Sequence, residues 1–266
     1  MASSHPISCQ GRTPLESLLL RDRWLIGGAL AIAIALCWAW IVPMSRDMYA
    51  DMDGPSAWMM ADTWDFAHVI LLFAMWSVMM MGMMLPSAAP AVLLYAGIIR
   101  KAPDANHIQA HVYAFAGGYL LVWTAFSLAA TALQRLLTHN LLLSPMIEIR
   151  ARWFAGALLI LAGIYQLTPF KNVCLAHCRS PLGFFMTEWR DGNAGALTMG
   201  IKHGVQCVGC CWMLMGLLFV FGVMNLIWVA VLSFLVLLEK AAPFGHAIAR
   251  ISGVAMLVGA VALALY

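Results

Sequence analysis

Residues 199–221 read MGIKHGVQCVGCCWMLMGLLFVF, with Lys202 as the one charged side chain. A helix that crosses the bilayer core needs about 20 mainly apolar residues, and no strand-like alternation runs through this stretch. It therefore reads as a transmembrane helix. It is also rich in sulfur, with three cysteines in five positions beside His203, Met213 and Met215. His203, Cys207, Cys211 and Met215 recur every four residues, so they form one stripe on a helix, with Cys210 at its flank. Gly200, Gly204 and Gly209 leave room for a neighbour to come close.

The rest of the chain agrees with that reading. Of its 266 residues, 63% are hydrophobic and 10% charged, and its mean hydropathy is +0.86; soluble domains carry about 25% charged residues. Seven apolar segments stand out: Trp24–Val42, Phe66–Leu85, His111–Leu133, Trp153–Leu167, Met199–Phe221, Val223–Leu238 and His246–Leu265. The fifth and sixth are nearly fused, with Gly222 and Asn225 marking a tight turn, so the count is six to seven. The expected fold class is an all-α, polytopic transmembrane helix bundle, because helices satisfy their own backbone in lipid and no barrel pattern is present. Residues 1–23 read as a cytoplasmic N-terminal segment and residues 24–266 as a single integral membrane helical domain. The first apolar segment lacks a small-x-small cleavage site and reads as a retained helix.

Positive residues favour the cytoplasmic side. With the N-terminus inside, that side holds Arg12, Arg21, Arg23, Arg100, Lys101, Lys171, Arg179, Arg190, Lys202, Lys240 and Arg250, against Arg46, Arg135, Arg150 and Arg152 outside. The acids Asp47, Asp51, Asp53, Asp62 and Asp65 weigh little in this rule. The expectation is a multi-pass protein of a bacterial inner membrane with a cytoplasmic N-terminus. The methionine-rich end of the second segment, the stretch after the fourth and the start of the fifth then lie at similar depth.

Those three stretches carry the candidate ligands. Cys207, Cys210 and Cys211 with His203 and Met215 form the first group. Cys174, His177 and Cys178 form the second, and a helical turn there would place both cysteines on one side. The third is the methionine run, in which Met75, Met79 and Met83 make one row and Met80 and Met84 a second beside Met81. Pro86 and Pro90 then predict an interruption and a broken or re-entrant segment. Thiolate and thioether are soft ligands suited to Cu(I), and thiolate with imidazole also suits zinc. The alternative for the first and third groups is packing, since cysteine and methionine both fill helix contacts well; for Cys174 and Cys178 it is two loop thiols, paired with each other or with the fifth segment as a disulfide. His68, His107, His111 and His139 sit near helix ends as interface residues. Glu239 and Lys240 read as anchors reaching water, with charge balance at a metal as the second role for Glu239.

Four stretches in order, MMMGMMLPSAAP at 79–90, FKNVCLAHCRSP at 170–181, GVQCVGCCWMLM at 204–215 and FGVMNLIWVAVLSFLVLLEK at 221–240, resemble a bacterial family of predicted metal-binding integral membrane proteins. That domain was long one of unknown function, and some members are labelled copper chaperones. The resemblance covers the second through the seventh apolar segment. It implies copper binding and delivery to a copper enzyme, with Cys174, Cys178, Cys207, Cys210 and Cys211, and also Met80, Met81, Met83, Met84 and Glu239, as the residues concerned.

The expected function is thus soft-metal handling, with copper as Cu(I) the first cargo and zinc the other candidate. Haem is not expected, because no CxxCH motif is present. No P-loop is present either, so movement would rest on a gradient or a handoff. The expected partners are the lipid bilayer and a copper-enzyme client or soluble metal donor, with no nucleic acid. The oligomeric state is not encoded in any pattern. A chaperone or carrier is expected rather than an enzyme. The rival class is a membrane thiol-disulfide oxidoreductase that passes electrons between Cys174/Cys178 and the clustered cysteines of the fifth segment, where Cys207–Cys210 has the CxxC spacing of a redox pair.

Overall fold

The computed structural model describes residues 14–48, 65–100, 108–143, 149 and 151–265, with side chains in the first helix from Trp24 to Asp47. Arg12, Asp51, Asp53, Asp62, Lys101, His107 and Arg150 lie outside the described residues, as do the side chains of Arg21 and Arg23.

The described residues form ten helices: α1 Pro14–Met48, α2 Phe66–Ile99, α3 Ile108–His139, α4 Arg152–Leu167, α5 Pro169–Arg179, α6 Pro181–Glu188, α7 Gly192–Gly216, α8 Leu218–Phe221, α9 Leu226–Ala241 and α10 Gly245–Leu265. An isolated bridge between Leu143 and Ile149 is the one β feature among them. The fold is all-α, and five spans are long and apolar enough to cross a membrane: Trp24–Asp47 in α1, α2, α3, α7 continued through α8, and α10. Helices α4 and α5 would together make a sixth, bent by 63°. The protein is a multi-pass membrane protein. The expected crossing at Val223–Leu238 is not among these spans, because α9 has 16 residues. At about 1.5 Å per residue it falls short of a hydrocarbon core about 30 Å thick.

The expected interruption at Pro86 and Pro90 is also corrected: α2 runs through both. A proline at 86 removes the bond that the Gly82 carbonyl would accept. The indole N–H of Trp38 on α1 donates to that carbonyl instead, at 3.3 Å. The Ser233 hydroxyl on α9 donates to the next one, Met83 O, at 3.3 Å. Buried helices tolerate proline when neighbours satisfy the freed backbone in this way. Gly82 makes room for the contact, since a Cβ there would lie 3.1 Å from Cys37 Cβ.

Small residues bring α7 against α3. A Cβ on Gly200 would fall on the Phe115 carbonyl, and one on Gly118 would fall on the Leu197 carbonyl. One turn further along α7, a Cβ on Gly204 would sit 3.0 Å from Val122 Cβ. Helices α4 and α10 meet in the same way, with Gly163 and Gly253 face to face. Thr168 breaks α4 from α5 and caps the latter, accepting from Lys171 N at 3.3 Å, with Pro169 in the first turn. At the predicted turn, Gly222 has φ +91° and Asn225 caps α9 by accepting from Ile227 N at 3.2 Å.

Gly200→Ala should destabilise the protein by about 1–3 kcal/mol, as overpacking against backbone does. Gly156→Ala, with nothing within 4 Å of the new Cβ, should be neutral or raise stability by up to about 1 kcal/mol. Thermal unfolding of both variants in the same detergent checks the contrast.

Candidate functional site

The stripe on α7 faces inward. His203, Cys207, Cys210, Cys211 and Met215 are each at most 4% exposed. The Cys210 and Cys211 thiols both donate to the Cys207 carbonyl, at 3.1 and 2.9 Å, so both lie along the same side of the helix. From there Cys210 Sγ is 3.9 Å from Cys178 Sγ on α5, and Cys211 Sγ is 3.9 Å from Met84 Sδ on α2. Two sulfur pairs thus lie side by side where α2, α5 and α7 meet. A metal–sulfur bond of about 2.3 Å at a trigonal angle spans about 4 Å between sulfurs, so each pair is spaced to share one soft ion.

Cys207 belongs to a polar ring beside these pairs. Its Sγ lies 3.1 Å from the Tyr119 hydroxyl and receives the Lys240 ammonium at 2.9 Å. Lys240 Nζ also donates to Ser87 Oγ at 3.1 Å. The Ser87 and Tyr119 hydroxyls both donate to the Met84 carbonyl, at 2.9 and 3.2 Å. The ring therefore closes on the residue whose thioether meets Cys211. The expected water-reaching role of Lys240 is corrected, because its ammonium turns inward to sulfur.

Glu239, next in sequence, faces the other way. Its Oε2 receives Lys171 Nζ at 2.7 Å with both side chains almost wholly buried, and its Oε1 accepts from Gln166 Nε2 at 2.8 Å. Arg179 Nη1 donates to the Glu239 carbonyl at 2.9 Å. This carboxylate is already committed to α4 and α5, and it does not contact the sulfurs.

The remaining candidates divide. Cys174 shares the expected helical turn with Cys178 but packs on bare α7 backbone, 3.1 Å from where a Cβ on Gly209 would be. His177 is exposed, its Nδ1 2.9 Å from the Val173 carbonyl of its own helix. His203 lies boxed by the rings of Phe115, Tyr119 and Phe184, at centroid distances of 6.0, 5.8 and 5.5 Å, and its Nδ1 has no hydrogen-bond partner among the described residues. Met80 and Met83 are buried in the same apolar cluster as the cysteines, while Met81 is half-buried. Met215 lines a separate apolar cavity of about 280 Å³ with Trp76, Trp212 and Phe219. Of the terminal histidines, His68 and His111 are buried and His139 is exposed.

All six described cysteines are free thiols. No group of three or more His, Cys, Asp or Glu side chains placed to hold a metal occurs among the described residues. A four-ligand zinc site of the closed structural kind is therefore not preformed there.

Sequence reasoning passed over Tyr119, Ser87, Lys171 and Gln166 and misread Lys240. One signal was available. Ser233 and Lys240 stand seven residues apart on α9, hence on one face, and both reach α2.

Fold and site together define a multi-pass membrane protein with a buried thiol–thioether cluster at a three-helix junction. Residues 73–263, most of the chain, match the family model described as PpoB2, copper chaperone, and the chain belongs to that family. No curated protein and no solved structure matches it.

Glu239→Gln leaves the Lys171 ammonium buried without its counter-charge, which costs about 3–5 kcal/mol. The double change Lys171→Met with Glu239→Leu should recover most of that loss. Unfolding midpoints report the stability, and the yield of a short thiol cross-link between Cys178 and Cys210 should fall in Glu239→Gln as α5 loosens.

Proposed function

We propose that the protein is a copper chaperone of the bacterial inner membrane, with its N-terminus in the cytoplasm. It holds Cu(I) at the junction of α2, α5 and α7 and passes it to a copper-enzyme client. The observation that carries this reading is the pair of 3.9 Å approaches, Cys178 to Cys210 and Cys211 to Met84. Cu(I) is soft and favours thiolate and thioether. It is content with few ligands, which suits two-sulfur sites better than a full tetrahedral cage. Adjacent pairs also permit ligand exchange, in which one new sulfur attaches before an old one leaves. Met80 and Met83, buried beside Met84, extend the sulfur surface along α2. Binding displaces thiol protons, so loading requires reduced cysteines. The family description supports copper as the cargo.

A second reading, thiol-disulfide exchange through Cys178 and Cys210, draws on the same close approach. Trapping a mixed disulfide with a substrate after Cys178→Ser would favour it.

Copper counted per purified, reduced chain tests the chaperone reading. The unaltered protein should retain copper, Cys178→Ser with Cys210→Ser should lose the greater part, and adding Cys211→Ser should abolish retention. Unchanged copper content in the triple variant would reject the site.

A further inference from the structure

The chaperone reading leaves one group without a role: an ammonium placed among sulfurs. Lys240 stands at 2.9 Å from Cys207 Sγ, and among the described residues it is the one cation in hydrogen-bond contact with a cysteine sulfur. Its neighbour Glu239 cannot neutralise it, because that carboxylate is paired with Lys171. Ser87 and Cys207 hold it from two sides. Cys207 in turn accepts the Cys210 thiol at its carbonyl, at 3.1 Å, and Cys210 Sγ stands 3.9 Å from Cys178 Sγ, so the ammonium contacts the residue next to that pair.

We infer that Lys240 is the built-in counter-charge of the loaded Cys178–Cys210 pair and makes that pair prefer a monovalent soft cation to a divalent one. The inference rests on the chaperone reading. When Cu(I) enters between two neutral thiols, two copper–sulfur bonds form, two S–H bonds break and both protons leave to solvent. Copper keeps its oxidation state. The pair thereby passes from zero charge to minus one. In a largely buried junction an isolated charge is costly, and a fixed opposite charge nearby offsets that cost. With Lys240 present, the loaded junction is neutral. A divalent ion between the same two thiolates brings no net change at the pair, so it gains nothing from Lys240 and leaves the ammonium unbalanced. Cys207 is a positioning residue here: together with Ser87 it aims the ammonium. Discrimination then comes from a charge on α9, a helix that supplies no sulfur to either pair.

The test uses the full-length reduced protein in detergent, with Cu(I) affinity read by competition against a chromophoric Cu(I) chelator and Zn(II) affinity by a zinc dye. Lys240→Gln should weaken Cu(I) binding roughly a hundredfold, the scale of removing one partner from a buried charge pair, and leave Zn(II) binding nearly unchanged. Lys240→Arg should restore Cu(I) affinity. An equal loss for both ions, or an unchanged ratio of the two affinities, would overturn the inference, since a merely structural lysine affects both alike. If Lys240→Gln does not fold, as judged by helical circular dichroism, the unaltered chain decides. Ag(I), also monovalent and soft, must displace Cu(I) from it, and Zn(II) held as tightly as Cu(I) would overturn the inference. Failure of the unaltered chain to take up Cu(I) at all would instead reject the chaperone reading, and this inference with it.

Discussion

Lys171 and Glu239 meet at 2.7 Å with almost no exposed surface on either side chain, and two parts of the sulfur junction hang on that contact. Lys171 lies in the first turn of α5, seven residues before Cys178, hence on the same helix face. Glu239 is the neighbour of Lys240 on α9. The pair therefore fixes the register of the helix that brings Cys178 and of the helix that brings the ammonium. A buried ion pair adds little net stability compared with well-matched apolar groups, but it is severe on misalignment, since either charge alone is costly. Gln166 and Arg179 add donors around the same glutamate, which ties the bend between α4 and α5 to α9.

Short side chains impose the second constraint. A cysteine reaches little beyond its own Cβ, so two thiols on different helices meet only if their backbones come close. Glycines supply that closeness. Gly118, Gly200 and Gly204 let α3 and α7 touch backbone to backbone, which sets Tyr119 against Cys207. Gly209 does the same for α5, leaving space for Cys174 and bringing Cys178 within reach of Cys210. Methionine is longer and more adaptable, and Met84 spans from α2 to Cys211 without such help.

Chemistry follows from this placement. Cys207, Cys210, Cys211 and Met84 are buried and Cys178 is half-buried, and thiol and thioether sulfurs are soft donors. The ring of Lys240, Ser87, Tyr119 and the Met84 carbonyl surrounds Cys207 with polar groups, and the two sulfur pairs lie beside it. The clustered thiols differ in surroundings although they lie within five positions of the chain. Cys210 and Cys211 each meet another sulfur, whereas Cys207 meets an ammonium and a phenol.

The all-α membrane class was legible from composition and segment length alone, because lipid demands apolar runs and an internally bonded backbone. Helical periodicity likewise told which residues share a face: the His203–Met215 stripe, the common side of Cys174 and Cys178, and the Gly222–Asn225 turn. Those are properties of one segment and its neighbours in sequence. Periodicity could not tell which sulfur meets which. That Met84 touches Cys211, that His177 points outward and that Glu239 is spent on Lys171 depend on how helices cross. Pro86 fails to break α2 because Trp38, 44 residues before Gly82, donates to the Gly82 carbonyl that the proline frees. Lys240 turns inward because Cys207 and Ser87 await it on other helices. A local pattern fixes the direction of a side chain from its own axis, whereas the partner it meets there is set by backbone approach and by groups far away in the chain, and only tertiary structure decides those.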